Sequence, residues 1–349
     1  MPYSDSLELV KSVALALVTG GGGSPPVIIE AATGGGNNRL YPLVDARGRR
    51  FALKAYARPG GDQRDRLGTE FGALRFLNDH DVRQVPTALA IDRKQGYALY
   101  DWVESVAPQP ATASDIDQAL ALVARLVRLG EQSAARFIGP ASASGQSAGR
   151  LLRQLAQRRR RYDQPAAQDP VLASFLATDF DPRAARVETG LRDSYRRRRW
   201  SLDADLPQSR LVLSPSDFGF HNALKRPDGK LVFIDFEYFG WDDPAKLTAD
   251  FLLHPGMTLA PALKARFRDG AAALFGAKDP DYPARLETLY PLIGLIWCMI
   301  LLNEYVPENW SRRHFAGVTE DSATITRRQL EKARRSLAAV PDFMAGALP

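Results

Sequence analysis

Apolar and polar positions in the first hundred residues form short alternating runs that are separated by glycine-rich and charged turns. This pattern is typical of a small β-sheet. Strands are predicted at 27–29, 40–44, 50–56, 85–91 and 96–103. Two stretches with helical spacing accompany them, an amphipathic one over residues 5–18 and a second one over 64–78. The N-terminal region is therefore predicted to hold five strands and one main helix, preceded by a helix of its own.

From about residue 104 onward, apolar residues recur mainly at helical spacing. Helices are predicted over 116–127, 147–162, 168–199, 245–253, 259–275, 283–305 and 321–340. The exception is a hairpin pattern, in which residues 222–225 and 231–234 flank the turn Arg226-Pro227-Asp228-Gly229. The chain is thus predicted to be α+β and two-lobed, with a mixed N-terminal lobe at 1–103 and a mostly helical C-terminal lobe at 104–349.

Composition narrows the class and location of the protein. At 349 residues and 45% apolar content, the chain can bury one large core or two lobes. The single cysteine, Cys298, cannot form an intramolecular disulfide, and a cytoplasmic location is predicted. The apolar run at 292–302 is shorter than the about 20 residues of a membrane span, so a buried helix and no membrane partner are predicted. Asp5 and Glu8, rather than basic residues, precede the apolar stretch 13–18, which favours a helix over a signal peptide.

Positive charge is concentrated in two arginine runs. The formal net charge is +6, and arginines cluster at 158–161 and 196–199. Runs of this kind can bind nucleic acid or anionic surfaces. Both runs lie in predicted helices with apolar residues at helical spacing, and no recognition motif accompanies them, so solvated helix faces are favoured over nucleic-acid binding. The charge can also help attract an anionic ligand such as a nucleotide.

The stretch around Asp217 contains the residue types that phosphoryl transfer requires. Asp217 and Asn222 lie five positions apart, and Asp235 ends the apolar run 231–234. This spacing matches the catalytic loop of kinases, in which the aspartate meets the substrate hydroxyl and the asparagine binds magnesium. Magnesium prefers oxygen ligands, and a proton acceptor must lie beside the hydroxyl. A plain β-hairpin with polar turn and cap residues is the alternative interpretation.

A candidate triphosphate site precedes this loop in the chain. Gly34-Gly35-Gly36-Asn37-Asn38 lies between two predicted strands, Lys54 lies in the middle of the next strand, and Glu70 lies in the following helix. Glycines let successive backbone N–H groups approach phosphate oxygens. Each feature alone is weak, since a glycine turn usually makes a hairpin and a strand lysine is commonly exposed. Arg64 and Arg66 are alternative partners for Glu70. The order of the three features is what a kinase-like nucleotide lobe requires.

A candidate adenine contact lies where the chain passes into the second predicted lobe. The sequence there is Tyr100-Asp101-Trp102-Val103. Its backbone N–H and C=O groups are placed to pair with adenine, so side-chain identity matters little. Pro108 and Pro110 mark the crossover that follows.

Taken together, residues Gly34 to Asp250 resemble the aminoglycoside phosphotransferase and choline kinase family, which has a protein-kinase-like fold. The resemblance is specific at the catalytic loop and at Ile234-Asp235-Phe236-Glu237-Tyr238. It implies ATP and Mg²⁺ as cofactors and transfer of the γ-phosphoryl group to a hydroxyl of a small molecule. By position, it assigns triphosphate binding to Lys54 and Glu70, orientation of the acceptor hydroxyl to Asp217, and metal binding to Asn222 and Asp235.

Three positions depart from the family pattern. Pro215 stands where the family usually has a histidine, His221 replaces a small or polar residue, and Leu247 stands where a second aspartate is common. Asp250 is a candidate for the structural role of that aspartate. Because orientation is its main task, Asp217 is expected to have no strongly shifted pKa. The departures indicate a separate branch of the family, so the acceptors of better-known members cannot be assigned to this protein.

The sequence does not determine which small molecule is the acceptor. Glu237, Asp242 and Asp243 could face an amine or sugar hydroxyls, although Asp242 and Asp243 are better explained as caps of the helix that begins near Pro244. Overall positive charge disfavours a polycationic aminoglycoside, so a sugar, amino alcohol or related metabolite is preferred. A non-catalytic nucleotide-binding scaffold is one alternative. A protein kinase is disfavoured, because Asp243-Pro244-Ala245 leaves little room for a peptide-docking loop.

Overall fold

The computed structural model describes residues 6–30, 33–34, 38–57, 64–307 and 320–341. The chain forms two compact units. The described residues of the first lie within the ranges Met1–Pro108, Asn222–Phe239 and Pro307–Glu320, and those of the second lie within Gln109–His221, Gly240–Val306 and Asp321–Pro349. The lobe boundary predicted after residue 103 stays a prediction.

The regular elements are numbered in chain order. The helices are α1 Leu7–Gly20, α2 Arg66–Asp79, α3 Ala113–Gly130, α4 Ala148–Arg160, α5 Asp163–Gln168, α6 Pro170–Ser174, α7 Asp181–Arg198, α8 Pro244–Leu253, α9 Pro261–Gly276, α10 Tyr282–Leu301 and α11 Ser322–Ala339. The strands are β1 Ile28–Ile29, β2 Thr33–Gly34, β3 Asn38–Val44, β4 Arg50–Tyr56, β5 Ala88–Asp92, β6 Tyr97–Asp101, β7 Val212–Ser214, β8 Ala223–Lys225, β9 Leu231–Phe233 and β10 Gly240–Asp242. A π-helical turn, Phe175–Phe180, joins α6 to α7.

The first unit is built on an antiparallel sheet with strand order β1-β3-β4-β6-β5, and β2 also pairs with β3. The predicted five-stranded region and its main helix are confirmed, while the two-residue strand β2 was not predicted. The N-terminal helix α1 covers the sheet because its apolar residues recur at spacings of three and four, so they share one face. These residues, buried with Phe51, Leu53 and Leu99 of the sheet, are Val10, Val13, Ala14, Leu17 and Val18.

The predicted hairpin is formed by β8 and β9, and it belongs to the first unit. Its two strands pair antiparallel, with Ala223 opposite Phe233. Backbone hydrogen bonds tie it to this unit, because the N–H of Phe233 donates to the C=O of Gln84 at 2.7 Å, and that of Val106 to the C=O of Lys225 at 2.8 Å. The end of the hairpin, which carries Asp235, is therefore held against the sheet unit.

The second unit is mostly helical, as predicted, and α10 is its central helix. Helix α10 packs against α4, α7, α8, α9 and α11. Within the described residues, one helical stretch, Tyr282–Tyr305, is long and apolar enough to cross a membrane by length and composition alone, and 78% of its most apolar 18-residue window is buried inside the protein. A core helix of a soluble protein has the same character. Cys298 lies in this buried stretch, and burial raises the pKa of its thiol to about 12.

The helix predicted over 168–199 is interrupted. Pro182 lies in the first turn of α7. Backbone N–H groups in a first turn have no partner within the helix, so the missing N–H of proline costs no hydrogen bond there. The chain passes through the π-helical turn before this new start. The arginine runs occupy the last turns of α4 and α7, where positive charge faces the negative end of the helix dipole.

Candidate functional site

A part-buried lysine contacts two carboxylates in the first unit. Lys54, in the middle of β4, donates from Nζ to Glu70 Oε2 on α2 at 2.7 Å and to Asp235 Oδ1 at 2.7 Å. The side chain of Lys54 is 14% exposed and that of Glu70 is 4% exposed. Tyr56 also donates from its hydroxyl to Glu70 Oε2 at 2.6 Å. The structure thus brings together three residues that the sequence assigned to the phosphate and metal sites.

The electrostatics of this cluster keep Lys54 protonated. Burial by itself lowers the pKa of a lysine, but the charges of Asp235 and Glu70 outweigh burial and raise the pKa of Lys54 well above its ordinary value. Burial raises the pKa of Glu70, and the charge of Lys54 opposes that effect. A permanent cation at the centre of the cluster is suited to holding an anionic ligand.

Asn222 and Asp235 stand at the open end of the β8–β9 hairpin. The N–H of Ile234 donates to the C=O of Asn222 at 2.9 Å, which extends the strand pairing to this end. Asp235 has a φ of 66°, a left-handed conformation that is rare outside glycine. One carboxylate oxygen each from Glu70, Asp235 and Glu237 lies within 4.8 Å of the others. Carboxylate and amide oxygens are the donors that Mg²⁺ prefers, so Asp235 and Asn222 carry suitable donor types, whereas Glu70 and Glu237 already have side-chain partners of their own.

Glu237, whose role the sequence left open, is a buried partner of two other side chains. Its Oε2 accepts from Nδ2 of Asn38 at 2.9 Å, and its Oε1 lies 3.7 Å from Nη1 of Arg66. Arg66 therefore faces Glu237, and Glu70 is held by Lys54 instead. The sequence predicted no contact between Asn38 and Glu237, because 199 positions separate the two residues.

The glycine turn is only partly described. Gly34 lies in β2 and is paired with Arg39 of β3, so it belongs to a hairpin. Asn38 begins β3, opposite Tyr56 of β4, and its amide is bound to Glu237. Gly35, Gly36 and Asn37 lie outside the described residues. Phosphate binding by this turn stays a prediction.

The three residues assigned to the adenine contact lie at or beyond the end of β6. Tyr100 pairs on both sides within the sheet, and its hydroxyl lies 2.8 Å from that of Tyr56. The N–H of Asp101 donates to the C=O of Thr87 at 3.0 Å, and the Asp101 carboxylate accepts from Thr87 as well. Trp102 buries an indole N–H that has no hydrogen-bond partner among the described residues. The adenine role stays a prediction.

In the second unit, two stacked histidines contact the same carboxylate oxygen of Asp217. Nε2 of His221 and Nε2 of His254 each lie 3.1 Å from Asp217 Oδ1. The two imidazoles stack in parallel, with centroids 3.6 Å apart and an interplanar angle of 4°. The residue before Asp217, Ser216, has a left-handed φ of 71°. A non-glycine residue in this conformation costs about 1–3 kcal/mol, so the surrounding contacts must hold the loop in place.

The expectation of an unshifted pKa for Asp217 is wrong. Burial raises the pKa of this carboxyl, but hydrogen bonds from His221 and His254 outweigh burial and hold the pKa well below its ordinary value. Asp217 is therefore an ionised acceptor. His254 was not predicted as a site residue, because it lies far along the chain at the end of α8 and no motif marks it.

The acidic residues after Asp235 in the second unit have structural partners. Asp243 is the N-cap of α8, as predicted, and it also accepts from Nε of Arg285 at 2.8 Å. Asp242 lies 3.3 Å from Nζ of Lys246, which also donates to Asp250 at 2.6 Å. Asp242 is thus an ion-pair partner and does not cap α8. All three carboxylates contact buried cations of the protein itself.

A family model matches most of the chain. The model of the phosphotransferase enzyme family matches residues 28–287. No curated protein sequence matches the chain significantly.

Solved structures share the fold over nearly the whole chain. A choline/ethanolamine kinase family protein from Mesorhizobium loti superposes with a TM-score of 0.57 at 15% identity, covering 97% of each chain. A spectinomycin phosphotransferase in complex with ADP and spectinomycin gives a TM-score of 0.56 at 13% identity, covering 93% of this chain and 98% of that one. Amicoumacin kinase in complex with AMP-PNP and Ca²⁺ gives 0.53 at 15% identity, covering 95% and 93%. At such identities the likeness establishes the fold, and the predicted protein-kinase-like class is confirmed.

Proposed function

The chain belongs to the phosphotransferase enzyme family, and from this premise we propose that it transfers the γ-phosphoryl group of ATP to a hydroxyl of a small molecule in the cytoplasm. The observation that carries the proposal is the part-buried cluster in which Lys54 contacts both Glu70 and Asp235. A plain hairpin needs no part-buried lysine between two carboxylates. A nucleotide site needs such a lysine, because its ammonium group must be held in place to contact phosphate oxygens.

The candidate site residues of the first unit then have roles in binding the nucleotide and the metal. Lys54 contacts the α- and β-phosphates, and Glu70 fixes the direction of its ammonium group. Asn222 and Asp235 would hold Mg²⁺, which would supply positive charge to neutralise the phosphate oxygens. ADP and AMP-PNP in the solved relatives support a nucleotide as the donor.

Asp217 acts on the acceptor. A bond forms between the acceptor oxygen and the γ-phosphorus, the bond from that phosphorus to the β–γ bridging oxygen breaks, and ADP leaves. The hydroxyl proton passes to Asp217 late in the reaction, because phosphoryl transfer has a loose transition state. The lowered pKa of Asp217 keeps the carboxylate ionised and able to orient the hydroxyl.

We propose an acceptor of low positive charge, such as a sugar or an amino alcohol. Polycationic acceptors need unpaired carboxylates, whereas Asp242, Asp243 and Asp250 contact Lys246 and Arg285. The net charge of +6 would also repel a polycation. Preferred turnover of a polycationic aminoglycoside over sugars and amino alcohols would contradict this acceptor class.

The proposal is tested by a phosphate-transfer screen with a panel of hydroxylated metabolites. Asp217→Ala should abolish transfer and leave ATP binding largely intact, because Asp217 contacts the acceptor. Asp117→Ala is the matched control, since Asp117 is a half-exposed aspartate paired with Arg266 in the same unit. Near-normal transfer by Asp217→Ala would refute the assignment.

The metal assignment has its own test. Asp235→Ala should weaken nucleotide binding in the presence of magnesium far more than in its absence, as measured by calorimetry. Asp228→Ala, in the exposed turn of the same hairpin, should leave both affinities unchanged. ATP binding with no transfer to any acceptor would instead indicate a non-catalytic nucleotide-binding scaffold.

A further inference from the structure

We propose that His254 is a positioning residue that fixes the orientation of the Asp217 carboxylate through a hydrogen bond from its Nε2–H. The inference rests on the proposed function, in which Asp217 orients the acceptor hydroxyl. It starts from two contacts on opposite sides of one imidazole ring. Nδ1 of His254 faces the N–H of Gly256, and Nε2 faces Asp217 Oδ1.

The contact with Gly256 determines where the imidazole carries its proton. The N–H of Gly256 donates to Nδ1 of His254 at 3.0 Å, and a backbone N–H can only donate. Nδ1 therefore presents its lone pair, and the proton of the neutral ring is on Nε2. Nε2 lies 3.1 Å from Asp217 Oδ1, so it donates to the carboxylate. Gly256, three residues beyond the end of α8, thus sets the tautomer that Asp217 requires.

The ring is also fixed on its flanks. It stacks on His221 at 3.6 Å and meets Trp297 edge-on, with centroids 4.5 Å apart at 76°. Trp297 is anchored by its own N–H, which donates to Asp250 Oδ1 at 3.0 Å. Lys246 in turn donates to Asp250 at 2.6 Å. His254 is 11% exposed, so a chain of buried contacts from α8 and α10 holds it in one orientation.

A cation site is the competing explanation for these three side chains. Asp217, His221 and His254 each offer one ligand atom within 4.8 Å of the others. A metal bound to Nε2 of His254 would need the lone pair there and would move the proton to Nδ1, against the N–H of Gly256. The hydrogen-bond geometry therefore favours a donor over a metal ligand.

The first experiment compares two amide variants of His254. His254→Gln places an N–H donor at about the position of Nε2, whereas His254→Asn is too short to reach Asp217 but keeps an amide near Gly256. We expect His254→Asn to lower kcat about 10–100-fold with an unchanged KM for ATP, because small misplacements of reacting groups cost about 10²-fold. His254→Gln should recover a large part of that loss. His80→Asn is the matched control, since His80 also caps a helix, α2.

A variant that keeps His254 supplies an independent check. A Cβ at Gly256 would lie 2.9 Å from Cε1 and 3.0 Å from Nδ1 of His254. Gly256→Ala should therefore displace the ring and lower kcat in the same way. Unchanged kcat in both His254→Asn and Gly256→Ala would overturn the positioning role, and so would an equal loss in His254→Gln and His254→Asn.

¹⁵N NMR of the histidine rings tests the tautomer without any turnover. The Nε2–H pattern is expected for His254, and Asp217→Asn should shift that Nε2 resonance. A Nδ1–H pattern would overturn the proposal. Loss of the Nε2–H signal of His254 on addition of one equivalent of Zn²⁺ would also overturn it. Absence of transfer by the wild-type protein would overturn the proposed function and with it the positioning role. Normal transfer with a Nδ1–H tautomer would overturn the positioning role alone.

Discussion

Replacing Lys246 with methionine should destabilise the protein by about 3–5 kcal/mol, because removal of one partner from a buried ion pair leaves uncompensated charge. Nζ of Lys246 lies 3.3 Å from Asp242 and 2.6 Å from Asp250, and its side chain is 9% exposed. The side chain of Asp242 is fully buried. Methionine fills a similar volume, so lost charge rather than a cavity accounts for the cost.

Urea unfolding measures this cost against a matched control. Lys278 in the same unit contacts Glu131, and both side chains are more than half exposed. Lys278→Met should cost about 0–1 kcal/mol, since solvent screens exposed pairs. A cost for Lys246→Met within the range of the control would refute the reasoning.

The pH dependence of Lys246→Met gives a second check. Burial raises the pKa of Asp242, and the charge of Lys246 opposes that rise. Without Lys246, the pKa of Asp242 in the folded state should rise further above its unfolded value. The folded state then binds more protons than the unfolded state, so stability falls as the pH rises through that folded pKa. The deficit relative to wild type should therefore be larger at about pH 8 than at about pH 5. A pH-independent deficit would contradict the electrostatic explanation.

Three further substitutions concern stability and are checked by the same unfolding measurement. Gly72→Ala should stabilise the protein by about 0.5–1 kcal/mol, because alanine is the better helix former, and nothing lies within 4 Å of the new Cβ in α2. Gly68→Ala, in the same helix, should destabilise by about 0.5–2 kcal/mol, because its Cβ would displace the N-cap carboxylate of Asp65. Equal stability of these two variants would contradict at least one of the two statements. Trp297→Phe should cost about 1–3 kcal/mol, since it removes a buried donor from Asp250, and a neutral result would show that the bond adds nothing.

Local sequence patterns predicted most of the fold because they act over short distances. The spacing of Val10, Val13 and Leu17 defines the buried face of α1 without reference to the rest of the chain. The turn at Arg226–Gly229 likewise defines the hairpin that carries Asp235. The interruption between α6 and α7 was missed, because apolar spacing continues through it.

Parts of the candidate site depend on contacts between distant residues, and patterns cannot reveal these. The order of Lys54 and Glu70 in the chain indicated their contact, since a strand followed by a helix has few ways to pack. The bond between Asn38 and Glu237 had no such signal. The position of His254 beside Asp217 follows from the packing of α8 rather than from any spacing.

Backbone conformation adds information about the site that residue types do not carry. Among the described residues, five that are not glycine have a left-handed φ, and two of them are Ser216 and Asp235. Such a conformation costs about 1–3 kcal/mol and persists only where neighbouring contacts enforce it. At Asp235 the ion pair with Lys54 is such a contact, and beside Ser216 the carboxylate of Asp217 is bound by two histidines. A hairpin with polar turns does not by itself require this conformation at Asp235, so the conformation supports the proposed site.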